Sequence, residues 1–365
     1  MKKKLIIFIP HINVGGVEKN LFIIANYLAK KINNISLITA NKKYTKKLDK
    51  KIKIISPKNN KWENGSMYEK YAICLFILIN TILKDRNYLI FSFQANWYAI
   101  IVAKVFGIKI VTRSNTAPEG WSKNNLKKKI YKMIINYADK VIVNSMEFKK
   151  SLKKYFNVDS ICIYNPLNIS AISKQALVRI KPYNFYKKNF LNLINIGRFT
   201  DQKNQLLILK SINNLKYKIP IKLLIIGRGP NYLFLKNFIK SHNLEKFVDL
   251  KKNIDNPYPY LKNSDIFILS SNYEGLPNVL LEAQYFKKLI ISTKCPTGPK
   301  EILLNGKAGI FFKMNDYKDL CNKLLFVYKN KKNLKQKIET GFVNLERFDE
   351  QKNLRKYYKT LLTFL

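Results

Sequence analysis

Glu274 and Glu282 stand eight residues apart in the stretch SSNYEGLPNVLLEAQYF (270–286), astride a Gly-Leu-Pro-Asn turn. Acids are scarce in this chain, with 23 Asp and Glu against 67 Lys and Arg, a formal net charge of +44. Carboxylates so placed accept hydrogen bonds from sugar hydroxyls, as an acidic residue does from ribose in dinucleotide-binding folds. The turn between them opens a helix. The N–H groups of Asn278, Val279 and Leu280 in its first turn would then suit a bound anion. The ordinary alternative is a buried helix carrying two surface acids paired with lysines.

Three other stretches have the same form, an apolar run followed by glycine and then a helical segment. In INIGRFTDQKNQLLILKSI (194–212) the run ends at Gly197, and Arg198 and Lys203 flank a polar loop. Such a pair suits a diphosphate, because Arg binds two oxygens at once and Lys acts as a point charge. In LLIIGRGPNYLFLKNFI (223–239), Gly227 and Gly229 permit a turn. In PHINVGGVEKNLFIIANYLAKK (10–31), Gly15 and Gly16 allow close backbone approach ahead of a helix. Each of the last two also reads as a strand–helix turn that simply needs glycine.

Parallel strands must position these turns. KLIIFI, ISLIT, IKIIS, YLIFSF, IKIVT, KVIVN and SICIY are continuous apolar runs, as suits strands covered on both faces. After residue 188 the pattern restarts with FLNLINIG, IKLLIIG, FVDL, DIFILS, LIIS and GIFF. Strands alternating with helices imply parallel sheets joined by right-handed crossovers. The fold class is therefore α/β, with two doubly wound domains, and ligands are expected at the carboxyl ends of the strands. The polar stretch SKQALVRIKPYNFYKK (173–188) is the expected linker. It separates domains at 1–175 and 188–345, and a terminal helix within 346–365 has apolar spacing at Leu354, Tyr357, Tyr358, Leu361 and Leu362.

Length and composition exclude several classes. A chain of 365 residues, 47% hydrophobic, supports two real cores and is not disordered. YAICLFILINTIL (71–83) falls short of the roughly 18–20 apolar residues of a membrane span and reads as a buried helix. MKKKLIIFIPH imitates a signal peptide, but its apolar run stops at Pro10, so a cytoplasmic location is expected. Four scattered cysteines without CxxC spacing and two histidines give no expectation of a metal site or a disulfide framework. The positive charge is spread over both halves. Compositional drift explains it, and so does attraction to an anionic membrane, at about 1 kcal/mol per basic residue near the surface. No nucleic-acid recognition motif appears.

Taken together, GRFTDQKNQ, the Glu274–x7–Glu282 pair and CPTGPKEILLNGKAGIFF (295–312) resemble the retaining glycosyltransferases of family four, which have the GT-B fold. GGVEKN, SFQANWYAIIVAK and RSNTAPEGWSKN extend the resemblance over essentially the whole chain. It implies two facing Rossmann-like domains with a cleft between them, the first binding acceptor and the second nucleotide sugar, and a last helix that returns to the first domain. It implies that Arg198 and Lys203 neutralise the donor diphosphate, that Glu282 binds the ribose, and that Glu274 contacts the transferred sugar. Gly15 and Gly16 match the loop over the phosphates, and Gly197, Gly227, Asn278 and Val279 join the donor-binding set. Family members usually react without metal or cofactor, retaining the anomeric configuration, with the nucleotide sugar as substrate. Many keep a histidine after a middle strand of the first domain. Here SFQANW offers Gln94 and Asn96 in its place, so acceptor contacts are assigned to these two with His11 and Arg113. The subgroup looks like enzymes of bacterial surface glycans (lipopolysaccharide, O-antigen, capsule) that act on lipid-linked acceptors, often with UDP-N-acetylhexosamines. The expected partners are a UDP-sugar donor, a lipid-linked glycan and the anionic inner face of the plasma membrane, not nucleic acid. A sugar-nucleotide epimerase on the same architecture and a non-enzymatic basic module at membranes or nucleic acid are the competing classes.

Overall fold

The computed structural model describes residues 3–12, 15–59, 61–115, 125–178 and 185–365. It divides into two compact units, Met1–Pro166 with Asp349–Leu365, and Leu167–Phe348. All thirteen apolar runs form strands. In the first unit these are β1 (Lys4–Phe8), β2 (Ile35–Ile38), β3 (Lys53–Ile55), β4 (Tyr88–Ser92), β5 (Lys109–Ser114), β6 (Lys140–Val143) and β7 (Ser160–Cys162). They pair in parallel in the order β3-β2-β1-β4-β5-β6-β7. In the second unit, β8 (Leu191–Ile196), β9 (Ile221–Gly227), β10 (Val248–Lys252), β11 (Ile266–Leu269), β12 (Leu289–Thr293) and β13 (Ile310–Phe312) pair in parallel as β10-β9-β8-β11-β12-β13. Both orders reverse direction once, between β1 and β4 and between β8 and β11. Those reversals are the switch points where doubly wound sheets bind ligands.

The runs are continuous because both faces of each sheet are covered. Leu5 and Ile7 of β1 belong to one core and Ile6 and Phe8 to another, and Phe91 and Ile90 of β4 divide the same way. This is the two-residue period of a strand with apolar partners on either side.

Two expectations need adjustment. The helix containing YAICLFILINTIL runs from Met67 to Lys84 and is not buried all round. Cys74, Leu78 and Ile82, at four-residue spacing, are fully buried, whereas Tyr68, Phe76 and Leu83 are 76%, 60% and 59% exposed. A capping box starts it, with Ser66 Oγ accepting from the Glu69 N–H and the Glu69 carboxylate accepting from the Ser66 N–H at 2.6 Å. Second, the division between units falls at Pro166–Leu167, ahead of the stretch 173–188, and a helix over Ile169–Ala176 occupies the start of that stretch. The last helix spans Glu350–Leu362 within the first unit. Its Leu354, Tyr357 and Leu361 enter the core, while Leu362 is half exposed.

Candidate functional site

In the second unit the chain leaves β8 through Gly197-Arg198-Phe199, and several hydrogen bonds then fix the polar loop. Gln205 Nε2 donates to the Arg198 carbonyl at 2.9 Å, and Gln202 Nε2 donates to the Tyr273 carbonyl at 2.9 Å. Ser270 Oγ donates to the Lys203 carbonyl at 2.7 Å, and the Asn272 N–H donates to the Gln202 carbonyl at 2.8 Å. The loops after β8 and β11, seventy residues apart in sequence, are thereby one rigid piece.

Its centre is an ion pair. Lys203 Nζ lies 2.5 Å from Glu274 Oε1, and the two side chains are only 15% and 8% exposed. Glu274 and Lys203 thus satisfy each other here. A Cβ at Gly197 would meet the Lys203 stem at 3.6 Å, an ordinary contact, so packing against Lys203 does not require glycine there. Arg198 is exposed, donates to Gln202 Oε1 at 3.3 Å and forms no ion pair among the described residues.

The loop after β12 supports Glu274 from beneath. Thr297 Oγ1 donates to the Glu274 carbonyl at 2.5 Å, and the Gly298 N–H donates to the Gly275 carbonyl at 2.8 Å. A Cβ at Gly298 would lie 2.1 Å from that carbonyl oxygen, so only glycine fits. Gly227 has a packing reason of the same kind, because a Cβ there would lie 2.0 Å from the Gly197 carbonyl oxygen. Buried beside the ion pair, the Cys295 thiol is pushed up to about 12, by burial first and then by the charge of Glu274. It is an inert neighbour.

After the turn, the helix Asn278–Tyr285 begins without a side-chain cap. The Leu280 N–H already donates to the Pro277 carbonyl at 3.0 Å, which removes it from the three donors expected. Glu282 is 4% exposed and accepts from the Tyr258 hydroxyl at 3.2 Å. Tyr258 opens the short helix Tyr258–Lys262 that follows β10 and was not singled out from the sequence, nor were Thr297 and Ser270. Their only signals were position after a strand and the CPTG turn.

The first unit presents a second edge, at the carboxyl ends of β1, β4 and β5. Gln94 Oε1 accepts from the His11 N–H at 3.3 Å. His11 Nδ1 lies 3.0 Å from Asn41 Oδ1 and 3.3 Å from the ammonium of Lys70. Burial first, and then the Lys70 charge, hold His11 below its ordinary value of 6.5. Asn96 Nδ2 donates to the Arg113 carbonyl at 3.1 Å and its Oδ1 accepts from Ser92 Oγ at 2.8 Å, so this amide joins strand ends. Arg113 is fully buried. Gly15 is extended and Gly16 starts a helix, and a Cβ on Gly15 would meet the buried Glu18 carboxylate at 2.8 Å. Residues 13 and 14 and residues 116–124 of RSNTAPEGWSKN lie outside the described residues.

Two family models divide the chain between them. Glycosyltransferase Family 4 matches residues 14–171, and Glycosyl transferases group 1 matches residues 180–342. The chain belongs to glycosyltransferase family four. Its fold is the GT-B fold, and its relatives include bacterial polysaccharide glycosyltransferases. An amylovoran biosynthesis glycosyltransferase of Erwinia amylovora is 26% identical over 91% of this chain and 93% of its own length. An N-acetylgalactosaminyltransferase of Campylobacter jejuni, named for a diphospho-undecaprenol-linked acceptor, is 26% identical over 73% of each chain. An uncharacterized glycosyltransferase of Methanocaldococcus jannaschii is 36% identical, but the match covers 56% of this chain and about half, 53%, of that relative. Among solved structures, an Anabaena protein in complex with UDP-glucose superposes with a TM-score of 0.79 over 99% of this chain and 100% of its own, at 16% identity.

Proposed function

We propose that this family-four enzyme moves a hexose or N-acetylhexosamine from a UDP-sugar to a lipid-linked glycan in the synthesis of a bacterial surface polysaccharide. The observation that carries the reading is the Lys203–Glu274 pair beside an uncapped helix N-terminus at the β8/β11 switch point. The donor diphosphate competes with Glu274 for Lys203, and Arg198 and the N–H groups of Asn278 and Val279 add to the same cradle. Glu282, oriented by Tyr258, takes the ribose. Released from Lys203, Glu274 accepts from sugar hydroxyls and faces the positive charge developing at the anomeric carbon.

Transfer then proceeds with retention and without a metal. The acceptor hydroxyl oxygen bonds to the anomeric carbon on the face the diphosphate leaves. The bond to the β-phosphate oxygen breaks, and the acceptor proton passes to that oxygen. His11, Gln94, Asn96 and Arg113 belong to the acceptor side. The names of the Campylobacter and Erwinia relatives support the lipid-linked acceptor and the polysaccharide product, and the Anabaena complex supports UDP. Thermal unfolding with UDP-, GDP- and ADP-sugars tests the donor. A UDP-sugar is expected to raise Tm in proportion to the logarithm of its concentration, and stabilisation by a GDP- or ADP-sugar alone would refute it.

The enzyme is proposed to sit peripherally on the inner face of the membrane. Among the described residues no helix is long and apolar enough to cross one. The helix Met67–Lys84 instead exposes Tyr68, Phe76 and Leu83 on a chain of charge +44. Binding to vesicles with anionic lipid is expected at low salt and release at high salt, because exposed charges are screened beyond a Debye length of about 8–10 Å near physiological salt, and added salt shortens it. Release only by detergent would overturn the electrostatic anchor.

A further inference from the structure

Beyond the carboxyl end of β1, His11 Nδ1 stands between two neighbours with opposite demands. Asn41 Oδ1, 3.0 Å away, is an acceptor and calls for a proton on Nδ1. That atom is fixed as the oxygen, because the Ile12 N–H donates to it at 3.2 Å. Lys70 Nζ, 3.3 Å away on the helix Met67–Lys84, is a donor and calls for the Nδ1 lone pair. One nitrogen cannot meet both. A neutral imidazole carries its single proton on Nδ1 or on Nε2, and its neighbours decide which.

The balance favours Lys70. A hydrogen bond from an ammonium is roughly twice as strong as one between neutral groups. Lys70 is only 6% exposed and has His11 as its bonded partner, so a proton on Nδ1 would set an N–H against a buried charge. Asn41 loses less, since its oxygen keeps the Ile12 N–H and its amide donates to the Glu63 carbonyl at 3.4 Å. The other titratable groups described here do not compete. The Glu63 carboxylate accepts from the Lys42 N–H at 2.8 Å. The Cys74 thiol, 4.0 Å from the Pro10 carbonyl, is pushed up to about 12 by burial and stays uncharged. Burial and the Lys70 charge both oppose an imidazolium at His11.

We propose that Lys70 is a positioning residue that fixes His11 as the neutral Nε2–H tautomer, so that His11 offers a hydrogen-bond donor and not a base. Nε2 has no hydrogen-bond partner among the described residues, and His11 is partly exposed. The consequence for transfer rests on the acceptor-side reading of His11; the tautomer does not. A His11 that donates from Nε2 can hold a substrate oxygen but cannot take the acceptor proton, which is left to the departing diphosphate.

The chain has two histidines, so His242→Gln leaves a single imidazole to follow. In that background, 15N NMR of the full chain labelled at histidine separates a protonated from an unprotonated ring nitrogen. With Lys70 intact, the proton is expected on Nε2, and on acidification the midpoint is expected below 6.5. Lys70→Met is expected to move the proton to Nδ1, where Asn41 accepts it, and to raise the midpoint, because the like charge is gone. Lys70→Arg keeps a donating charge and is expected to keep the Nε2–H tautomer. If Lys70→Met does not fold, Lys70→Gln, uncharged and polar, carries the titration, and a raised midpoint is again expected. A proton on Nδ1 with Lys70 intact overturns the proposal, as does an unchanged midpoint in the uncharged variant that folds. Transfer gives a second readout. The acidic limb of kcat/KM is expected to move to higher pH in the uncharged variant, together with the His11 midpoint, whereas a merely structural Lys70 would lower the rate equally at every pH. A limb that stays in place while the midpoint moves overturns the acceptor-side reading of His11 instead.

Discussion

Glu274→Gln is expected to lower kcat by a factor on the order of 10² or more while leaving UDP affinity unchanged or slightly raised. The substitution keeps the size of the side chain and removes its charge. Glu274 holds Lys203 at 2.5 Å. A diphosphate must compete with that carboxylate, and an amide competes less well, so nucleotide binding does not suffer. What is lost is interaction made in the transition state, where the sugar becomes positively charged. Such a loss appears in kcat rather than in ground-state binding. Glu282→Ala is expected to behave in the opposite way, weakening UDP first, because that carboxylate, buried against Tyr258, is the one proposed to take the ribose. Steady-state kinetics with a UDP-sugar, together with calorimetry of UDP, separates the two. Normal turnover by Glu274→Gln would remove Glu274 from the reaction.

The contrast between what the sequence made legible and what it hid follows from the range of the interactions. Thirteen strands were readable because a strand covered on both faces must be apolar at every position, a purely local requirement. The turns at Gly197 and Gly227 were readable as glycines after strands. The reason for Gly227, a carbonyl oxygen 2.0 Å from its missing Cβ, is a contact between neighbouring loops. The Lys203–Glu274 pair joins residues 71 apart, and nothing in either segment indicates the other as partner. The sequence placed both at strand ends and went no further. Arg113 was equally opaque. In IKIVTRS it reads as the polar end of a strand, where arginine is ordinarily solvated, and its burial depends on Tyr357 in the last helix and Asn165 after β7. The helix Met67–Lys84 erred in the other direction. Its apolar run signalled burial, but only the stripe Cys74–Leu78–Ile82 is fully buried, with Tyr71, Ile73, Leu75 and Ile77 partly buried against the same core and Phe76 and Leu83 exposed.

Lys203→Ala is expected to have two separable consequences, and the ion pair dictates both. The first concerns ligand. Loss of a charge-assisted contact to a diphosphate costs roughly 1.5–3 kcal/mol, about 10- to 150-fold in Kd for UDP. Uridine, whose ribose is proposed to be taken by Glu282, is expected to change little. The second concerns stability. Glu274, 8% exposed, is left without its cation, and breaking a buried pair costs roughly 3–5 kcal/mol. The lower end applies here, because the 15% exposure of Lys203 shows that water reaches the pair. A lower Tm alone would therefore say nothing about function. The double variant Lys203→Met with Glu274→Leu resolves the two effects, since replacing both charges with apolar groups removes the orphaned carboxylate. It is expected to recover much of the lost Tm while UDP binding stays weak. If UDP binding returned with the Tm, Lys203 would act only through the fold. If UDP and uridine weakened equally in Lys203→Ala, the diphosphate would have to be held elsewhere, and Arg198, exposed on the same loop and free of any ion pair among the described residues, is the group to substitute next.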